Sequence, residues 1–382
     1  MTEDLQHPST HPPLPPTTED DRISWLRLLR SRRVGPSTFF RLMNEHGAAN
    51  AALEALPEIA RAAGVEGYEI CPEGVVLAEI RSAKAAGAHL LCAGDPDYPS
   101  DLLQVCDAPP LLWAIGDTSI LSRPMIALVG ARNASSLGVR MARALATDLG
   151  ERGYVIVSGM ARGIDTAGHQ AALGTGTIAV LGGGVDVMYP AENTLLAQEI
   201  AQNGLRLSEQ PMGLTPQARH FPRRNRIISG MTRATIVVEA AAKSGSLITA
   251  RNALDQGREV LSVPGHPFDA RAAGCNMLIR DGARLVRNAD DVIEALPAIN
   301  LDQQPNLPLA LTPKPPASDR SLRETGDLHN EILNRLGPSP VSEDQLIRDL
   351  AAPARRVSPI LVDLELEGRI KRQAGGLLAL AD

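Results

Sequence analysis

Five short apolar runs recur through the middle of the chain, each ending at or near a glycine or a small residue. They are MIALVG, YVIVSG, TIAVLGGG, TIVVEA and EVLSVPG. Continuous apolar runs of this length predict strands that are buried on both faces. Stretches such as VRMARALATDLGERG lie between them and place apolar residues at helical spacing. This alternation predicts βαβ units, and therefore an α/β domain with a mostly parallel sheet over residues 89–296.

Residues 21–88 carry a different pattern, which is typical of helices. SWLRLLRS places Trp25, Leu28 and Leu29 on one helical face, and RVGPSTFFRLMNEHG follows after a Gly-Pro break. The arrangement resembles a helix-hairpin-helix or SAM-like module, in which a glycine turn brings backbone amides close to a DNA phosphate. A small helical bundle without DNA contact is the alternative.

The last part of the chain, residues 323–382, shows the pattern of a winged helix. LHNEILNRL is amphipathic, Ser342 followed by Gln345 is a capping box, and RRVSPILVDLELEG predicts a third helix. RIKRQAGGLLALAD predicts a hairpin with a Gly-Gly turn. The segment has a net charge of −2, whereas a DNA-reading winged helix is usually basic, so its role stays open.

Two segments have the composition of unstructured chain. Residues 1–20 are rich in Pro, Thr and acidic residues, which predicts a disordered tail. Residues 297–322 are rich in Pro and poor in large apolar residues, which predicts a linker.

Composition narrows the classes of protein further. No apolar run approaches the roughly 20 residues of a membrane-spanning helix, and the N-terminus lacks the apolar core of a secretory signal. The four cysteines are widely spaced and form no CxxC pair, which argues against a zinc site or a disulfide framework. A reduced, cytoplasmic protein is therefore expected.

Positive charge is concentrated in one short segment, although the chain has a formal net charge of −6. Residues 219–233 contain five arginines and no acidic residue, and their centre is HFPRRNRIISG. A block of one sign predicts an anionic partner, and arginine suits phosphate contact and stacking on bases. Phe221 offers a stacking face to a single-stranded nucleic acid. In the alternative, Phe221 is a core residue and arginines pair with carboxylates such as Glu209 or Glu239.

Several loops after the predicted strands also suit an anion. Gly130 and Arg132 precede Ser135 or Ser136 as a helix N-cap, which predicts a phosphate cradle. Arg162 lies between two glycines in SGMARGIDTAGH, and AAAKSGSLITA carries Lys243 and Ser246 directly after a strand. Ordinary capped turns are the alternative. Asp165 and His169 are expected to cap and brace a helix rather than to bind a metal.

The order of these motifs closely resembles the DNA-processing protein A family, DprA or Smf. The order is GAR, SGMARGID, LGGGVD, YPAEN, SEQP, FPRRNRIISG, VVEA, SGSLITA and GREVLSVPG, and it is densest over residues 95–290. The resemblance implies an extended Rossmann-like core that forms a homodimer, binds single-stranded DNA, protects incoming strands during natural transformation and promotes RecA loading. It implies neither an enzyme nor a cofactor.

The family motifs also select DNA-binding residues in this chain. The GSR-type loop corresponds to Gly130 and Arg132, and Ala131 replaces its serine, so a contact there must come from the backbone or from Ser135. The remaining residues implied are Phe221, Arg223, Arg224, Asn225 and Arg226, with Arg162, Lys243 and Ser246 from their loops. Which of the three arginines faces DNA and which braces the sheet stays open.

One rival function belongs to a different class. Related Rossmann-like enzymes hydrolyse nucleoside monophosphates and carry a PGGxGTxxE signature. The corresponding glycines here are followed by VDVMYPAEN, without the Gly-Thr step and its glutamate. The sequence therefore favours a DNA-binding protein over a nucleotide hydrolase.

Overall fold

A computed structural model describes residues 15–296 and parts of the C-terminal region. The described C-terminal residues are 331–336, 341–350, 357, 360, 361, 364, 365, 369–373 and 377–380. The chain forms two compact units, Met1–Ile299 and Asn300–Asp382. The linker predicted at 297–322 lies outside the described residues.

The first unit is built on one sheet, which has nine strands in the described residues. The strands are β1 (His89–Cys92), β2 (Leu111–Gly116), β3 (Met125–Gly130), β4 (Val155–Ser158), β5 (Thr177–Val180), β6 (Leu205–Ser208), β7 (Ala234–Val238), β8 (Glu259–Ser262) and β9 (Arg284–Leu285). Their order is β1-β2-β6-β5-β4-β3-β7-β8-β9. Strand β2 alone runs opposite to the other eight strands, so the predicted mostly parallel sheet is confirmed.

The described residues of the first unit contain twelve α-helices. They are α1 (Glu19–Arg30), α2 (Pro36–His46), α3 (Ala49–Ala62), α4 (Glu73–Ala85), α5 (Ser100–Leu103), α6 (Ser136–Glu151), α7 (Ile164–Ala172), α8 (Thr194–Asn203), α9 (His220–Gly230), α10 (Gly245–Asp255), α11 (Ala273–Arg280) and α12 (Ala289–Ala295). Two 3-10 helices, Thr118–Ser122 and Ala191–Asn193, complete the unit's described elements.

Strand β3 shows why the apolar runs are continuous. Successive side chains of a strand point to opposite faces of the sheet. Ile126 and Leu128 belong to the hydrophobic cluster that includes helix α6, whereas Ala127 and Val129 belong to the cluster that includes helices α9 and α10. Both faces of the strand are therefore buried, as the sequence predicted.

The strand order has a switch point between β3 and β7, which are neighbours in the sheet. Strands β4, β5 and β6 follow β3 on one side, and β7, β8 and β9 extend the sheet on the other. Helices then leave the carboxyl ends of β3 and β7 toward opposite faces of the sheet. Open parallel sheets bind ligands in the crevice at such a point.

The predicted helical module packs directly on the core. Helix α1 begins at Glu19, just inside the predicted tail, and Thr18 forms its capping box. Trp25 and Phe39 make an edge-to-face contact, and their cluster also contains Trp113 of strand β2. Glu79 of α4 accepts a hydrogen bond from the Trp113 indole at 2.8 Å. The module and the sheet thus share one hydrophobic core.

The second unit contains a small antiparallel sheet with the order β10-β12-β11. Its strands are β10 (Val341–Ser342), β11 (Ile370–Gln373) and β12 (Leu377–Leu380). Ser342 accepts the Gln345 amide at 3.3 Å and caps the helix Glu343–Asp349, as predicted. The described residues of the predicted third helix include Val357 and Leu361, which are helical and buried in the unit's core. The predicted Gly-Gly turn lies outside the described residues.

Candidate nucleic-acid interface

The arginine-rich segment HFPRRNRIISG forms helix α9. Residues three and four apart share a helix face. Phe221, Asn225 and Ile228 therefore lie together, and all three line a cavity of about 770 Å³. This cavity, called the crevice below, lies at the carboxyl ends of β3 and β7. Its lining also includes Gly130, Ala131, Arg132, Asn133, Tyr189, Arg224, Ser244, Ser246, Thr249 and Arg271.

A cluster of one cation and two rings borders the crevice. The Arg132 guanidinium carbon lies 5.7 Å from the centre of the Phe221 ring, within the range of a cation–π contact. The Tyr189 ring lies 5.7 Å from the Phe221 ring, and Tyr189 is half exposed. A second cavity of about 430 Å³ is also lined by Arg132, Phe221 and Tyr189. These three residues therefore separate two adjoining cavities.

Phe221 occupies this position because Gly182 leaves room for it. A Cβ on Gly182 would lie 3.1 Å from the Phe221 ring. Its neighbours Gly183 and Gly184 pack just as closely on the backbone of residues 211–216. The three consecutive glycines serve close packing here, which differs from an open phosphate-binding loop.

Arg224 points into the protein beneath the crevice. It is 5% exposed, and its Nη1 donates to the carbonyl oxygen of Gly159, at 2.7 Å, and to that of Val180. It thereby links the carboxyl ends of β4 and β5. Burial lowers the pKa of Arg224 to about 10, with Asp165 opposing that shift, so the side chain stays cationic at neutral pH.

Asp165 and His169 have structural environments. Asp165 accepts the amides of Gly159 and Ala161 at 3.1 and 3.2 Å, so it holds the loop before α7 rather than capping the helix. Burial raises the pKa of Asp165. His169 Nδ1 lies 2.7 Å from the Thr177 hydroxyl, and burial lowers its pKa to about 3, which keeps the ring neutral. The predicted bracing role of His169 is confirmed.

The other two arginines of α9 occupy different surroundings. Arg226 forms ion pairs with Glu209 and, at 3.3 Å, with Asp107, and its side chain is 12% exposed. Arg223 is exposed on the face away from the crevice and lines neither cavity. Arg224 and Arg226 therefore brace the fold, and pairing with Glu209 matches the alternative stated for this segment.

The phosphate cradle predicted at the start of α6 is already filled by a carboxylate. Glu239 accepts the Ser135 amide at 2.8 Å and also the Ser135 hydroxyl. A carboxylate at a helix N-terminus accepts hydrogen bonds from free amides and interacts favourably with the positive end of the helix dipole. Ser135 is consequently engaged, whereas Arg132 of the same loop is exposed at the crevice.

The remaining predicted residues divide between the crevice and its surroundings. Ser246 lines the crevice, and its hydroxyl lies 2.7 Å from that of Ser244 at the start of α10. Lys243 is exposed beside it but lines neither cavity. Arg162 lines the second cavity, 3.8 Å from Glu192.

Sequence reasoning missed two residues of this site. Tyr189 lies in the YPAEN motif, but no pattern indicates that its ring meets Phe221. Arg271 lies in the loop after β8, far from the charged window, and reaches the crevice only through the fold. In the described residues, no three His, Cys, Asp or Glu side chains are grouped to hold a metal ion. None of the helices described has the length and apolar character needed to cross a bilayer.

Fold and site together define a class: an α/β protein with a Rossmann-like core, an N-terminal helix-hairpin-helix module and a C-terminal winged helix. The family model for DNA recombination-mediator protein A matches residues 89–297. Models for the DprA-like N-terminal HHH domain and the DprA winged helix domain match residues 19–82 and 314–376. The chain belongs to the DNA recombination-mediator protein A family, DprA/Smf.

Relatives and solved structures agree with this assignment. The chain is 43% identical to DNA processing protein DprA of Bacillus subtilis (strain 168), over 56% of this chain and 73% of the relative. It is 38% identical to protein Smf of Escherichia coli (strain K12), over 76% of this chain and 77% of the relative.

Two solved structures of DNA processing protein A share the fold. That from Streptococcus pneumoniae superposes with a TM-score of 0.55 and 35% identity, over 70% of this chain and all of that one. That from Helicobacter pylori, described for its single-stranded DNA binding mode, has a TM-score of 0.51 and 31% identity, over 55% of this chain and 94% of that one.

Proposed function

We propose that this protein binds single-stranded DNA in the crevice, with little sequence preference. The observation that carries the proposal is the cluster of Arg132, Phe221 and Tyr189 between two cavities. Aromatic faces stack on any base, and an arginine beside them contacts the backbone phosphate. Such a cluster accepts unpaired bases, whereas paired bases in a duplex present no free face.

Charge around the crevice supports an anionic ligand. Arg132 and Arg271 line it, Lys243 is exposed at its edge and Arg162 lines the adjoining cavity. Arg271 is held by Asp269, and Arg162 lies near Glu192, whereas Arg132 faces the ring of Phe221. Arg132 is therefore proposed as the principal phosphate contact.

The proposal includes the cellular role implied by the family. The chain would act in the cytoplasm as a homodimer, protect incoming DNA strands during natural transformation and promote RecA loading on them. It would do so without catalysis, as a binding protein. The Bacillus subtilis relative is described as a DNA processing protein, which supports this role. Faster RecA assembly on single strands in the presence of the protein is the expected result, and no change in the rate would contradict it.

Hydrolysis of nucleoside monophosphates has less support. The glycines at 182–184 pack against Phe221 and residues 211–216, which leaves them no free face for a phosphate. Incubation with nucleoside monophosphates is expected to release no free base.

A set of substitutions at Phe221 tests the site. Phe221→Leu fills a similar space against Gly182 but removes the aromatic face, so it should weaken binding of oligothymidylate by about 1–3 kcal/mol. Phe221→Tyr keeps the face and should bind nearly as the wild type does. The measurement is fluorescence anisotropy at one fixed salt concentration. Equal affinity of the leucine and tyrosine variants would refute base stacking at this residue.

A further inference from the structure

The loop Gly265–Ala272, between β8 and α11, has a closed and fixed shape. A Cβ on Gly265 would lie 2.5 Å from the Cβ of Ala272, so the two ends of the loop touch. Asn276 of α11 donates to the Gly265 carbonyl at 3.0 Å and accepts the Gly265 amide at 3.2 Å. Backbone bonds from Asp269 to His266 and from Ala272 to Asp269, both 2.9 Å, fold the loop between these ends.

Phe268 lies in the middle of this loop and is exposed to solvent. It is 95% exposed, the largest value among the exposed large hydrophobic residues described. The His266 ring lies 5.6 Å from the Phe268 ring at an interplanar angle of 38°, and the Phe268 amide donates to His266 Nδ1 at 3.3 Å. The loop therefore presents two adjacent rings on a fixed backbone.

The same loop adjoins the crevice. Arg271 lines the crevice, and Asp269 orients its guanidinium through hydrogen bonds of 3.1 Å to Nε and to Nη2. Just after the loop, the Gly274 amide donates to the Ala240 carbonyl at 2.7 Å, and a Cβ on Gly274 would collide with that oxygen. The chain following the loop is thus packed against the turn between β7 and α10.

We propose that Phe268, with His266, is a second base-stacking platform for single-stranded DNA, and that Arg271 contacts a phosphate between this platform and the crevice. The proposal rests on the proposed function and extends the DNA path beyond the crevice. Base stacking suits an isolated exposed ring, because every base has an aromatic face.

Charge and context favour DNA over a second protein surface. Among the exposed large hydrophobic side chains described, Phe268 is the one that lies in the loop Gly265–Ala272. Protein interfaces usually need a contiguous apolar patch. The cationic Arg271 at the crevice instead complements a phosphate backbone.

The test compares Phe268→Ala with Phe268→Trp in the full-length protein, using Leu254→Ala as a control for loss of an exposed apolar side chain. Each variant is titrated with oligothymidylate and with an abasic oligonucleotide of the same length. Phe268→Ala should weaken oligothymidylate binding about fivefold or more, since one stacked base contributes about 1 kcal/mol or more. Phe268→Trp should restore binding, and the abasic strand should bind wild type and Phe268→Ala equally.

Three results would overturn the inference. Unchanged affinity of Phe268→Ala for oligothymidylate would exclude the contact, and equal losses on both strands would exclude stacking. A change of oligomeric state in sedimentation, with unchanged affinity, would assign Phe268 to an interface between copies. If Phe221→Leu weakens binding and Phe268→Ala does not, the inference fails while the proposed function stands. If the wild type binds no single-stranded DNA, both fail.

Discussion

At the scale of single residues, three arginines close together in sequence lie in three different environments. Arg224 links the ends of two strands, Arg226 pairs with Glu209 and Asp107, and Arg223 is exposed away from the crevice. The phosphate contact is instead proposed for Arg132, which contacts Phe221 from another loop. At least two of the three arginines in this segment therefore serve the fold.

Substitution of single arginines should distinguish a contact with DNA from a structural role. Arg132→Gln is expected to weaken single-stranded DNA binding and to reduce the slope of log affinity against log salt by about 0.7, the value for one phosphate contact on a single strand. Arg223→Gln is the matched control, and its affinity and slope should stay close to those of the wild type. Salt titrations followed by anisotropy provide both numbers. A larger effect from Arg223 would contradict the assignment.

Arg224 calls for a different measurement, because it is buried. Arg224→Gln should lower the free energy of unfolding by about 1–3 kcal/mol or more, because the buried carbonyl oxygens of Gly159 and Val180 lose a charged donor. Urea denaturation measures this loss. A binding defect without loss of stability would show instead that Arg224 contacts DNA directly.

The sequence predicted which residues lie at the crevice better than it predicted where their side chains point. The sequence motifs point to Gly130, Arg132, Phe221, Asn225 and Ser246, and all five line the crevice. The inward direction of Arg224 depends on carbonyl oxygens at two strand ends, which are brought together only by the sheet. Arg271 was missed for the same reason, because its loop meets the crevice through tertiary packing.

At the scale of elements, Glu239 occupies the N-terminus of helix α6. Its carboxylate occupies the helix N-terminus through Ser135, in a left-handed backbone conformation with φ 55°. The βαβ units and the mostly parallel sheet followed from apolar runs alone. The sequence pattern does not show that Glu239 occupies the start of α6, because Glu239 follows a different strand, about 100 residues later in the chain.

Two substitutions at Glu239 test this arrangement. Glu239→Ala should lower the free energy of unfolding by about 1–3 kcal/mol, because the Ser135 amide loses a charged acceptor. Glu239→Gly removes the same carboxylate but suits the left-handed conformation, so it should be more stable than the alanine variant by about 1 kcal/mol. Chemical denaturation of both variants is the measurement. An alanine variant at least as stable as the glycine variant would contradict the inferred backbone strain.

The helical module and the sheet form one unit at the scale of the whole molecule. One hydrophobic cluster contains Trp25 and Phe39 of the module together with Trp113 of the sheet. Arg22 of the module pairs with Asp95 at 3.2 Å. Glu79, which accepts from Trp113 of the sheet, also pairs with Arg30 at 2.8 Å. Sequence patterns predicted both parts as separate domains, because periodicity shows which face of a helix is apolar but not what covers it.

Fragments of the chain should reflect this shared core. Residues 15–296 should melt close to the corresponding transition of the full chain and retain single-stranded DNA binding, since every proposed contact lies within them. Residues 89–296 should melt at least about 5 °C lower, because a loss of 1 kcal/mol shifts the melting temperature of a domain this size by roughly 2–4 °C. Calorimetry compares the two, and equal melting temperatures would contradict a shared core.

The most direct test of the central claim is a salt titration of full-length protein with single-stranded and double-stranded DNA of the same length. Four cations that solvent reaches lie in or beside the two cavities: Arg132, Arg162 and Lys243 are exposed, and Arg271 is partly exposed. At about 0.7 per phosphate, they predict a slope of log affinity against log salt of up to about −3 for the single strand. The single strand should bind more tightly than the duplex at every salt concentration, because only unpaired bases can stack in the crevice. Salt-independent binding, or equal affinity for the duplex, would contradict the account.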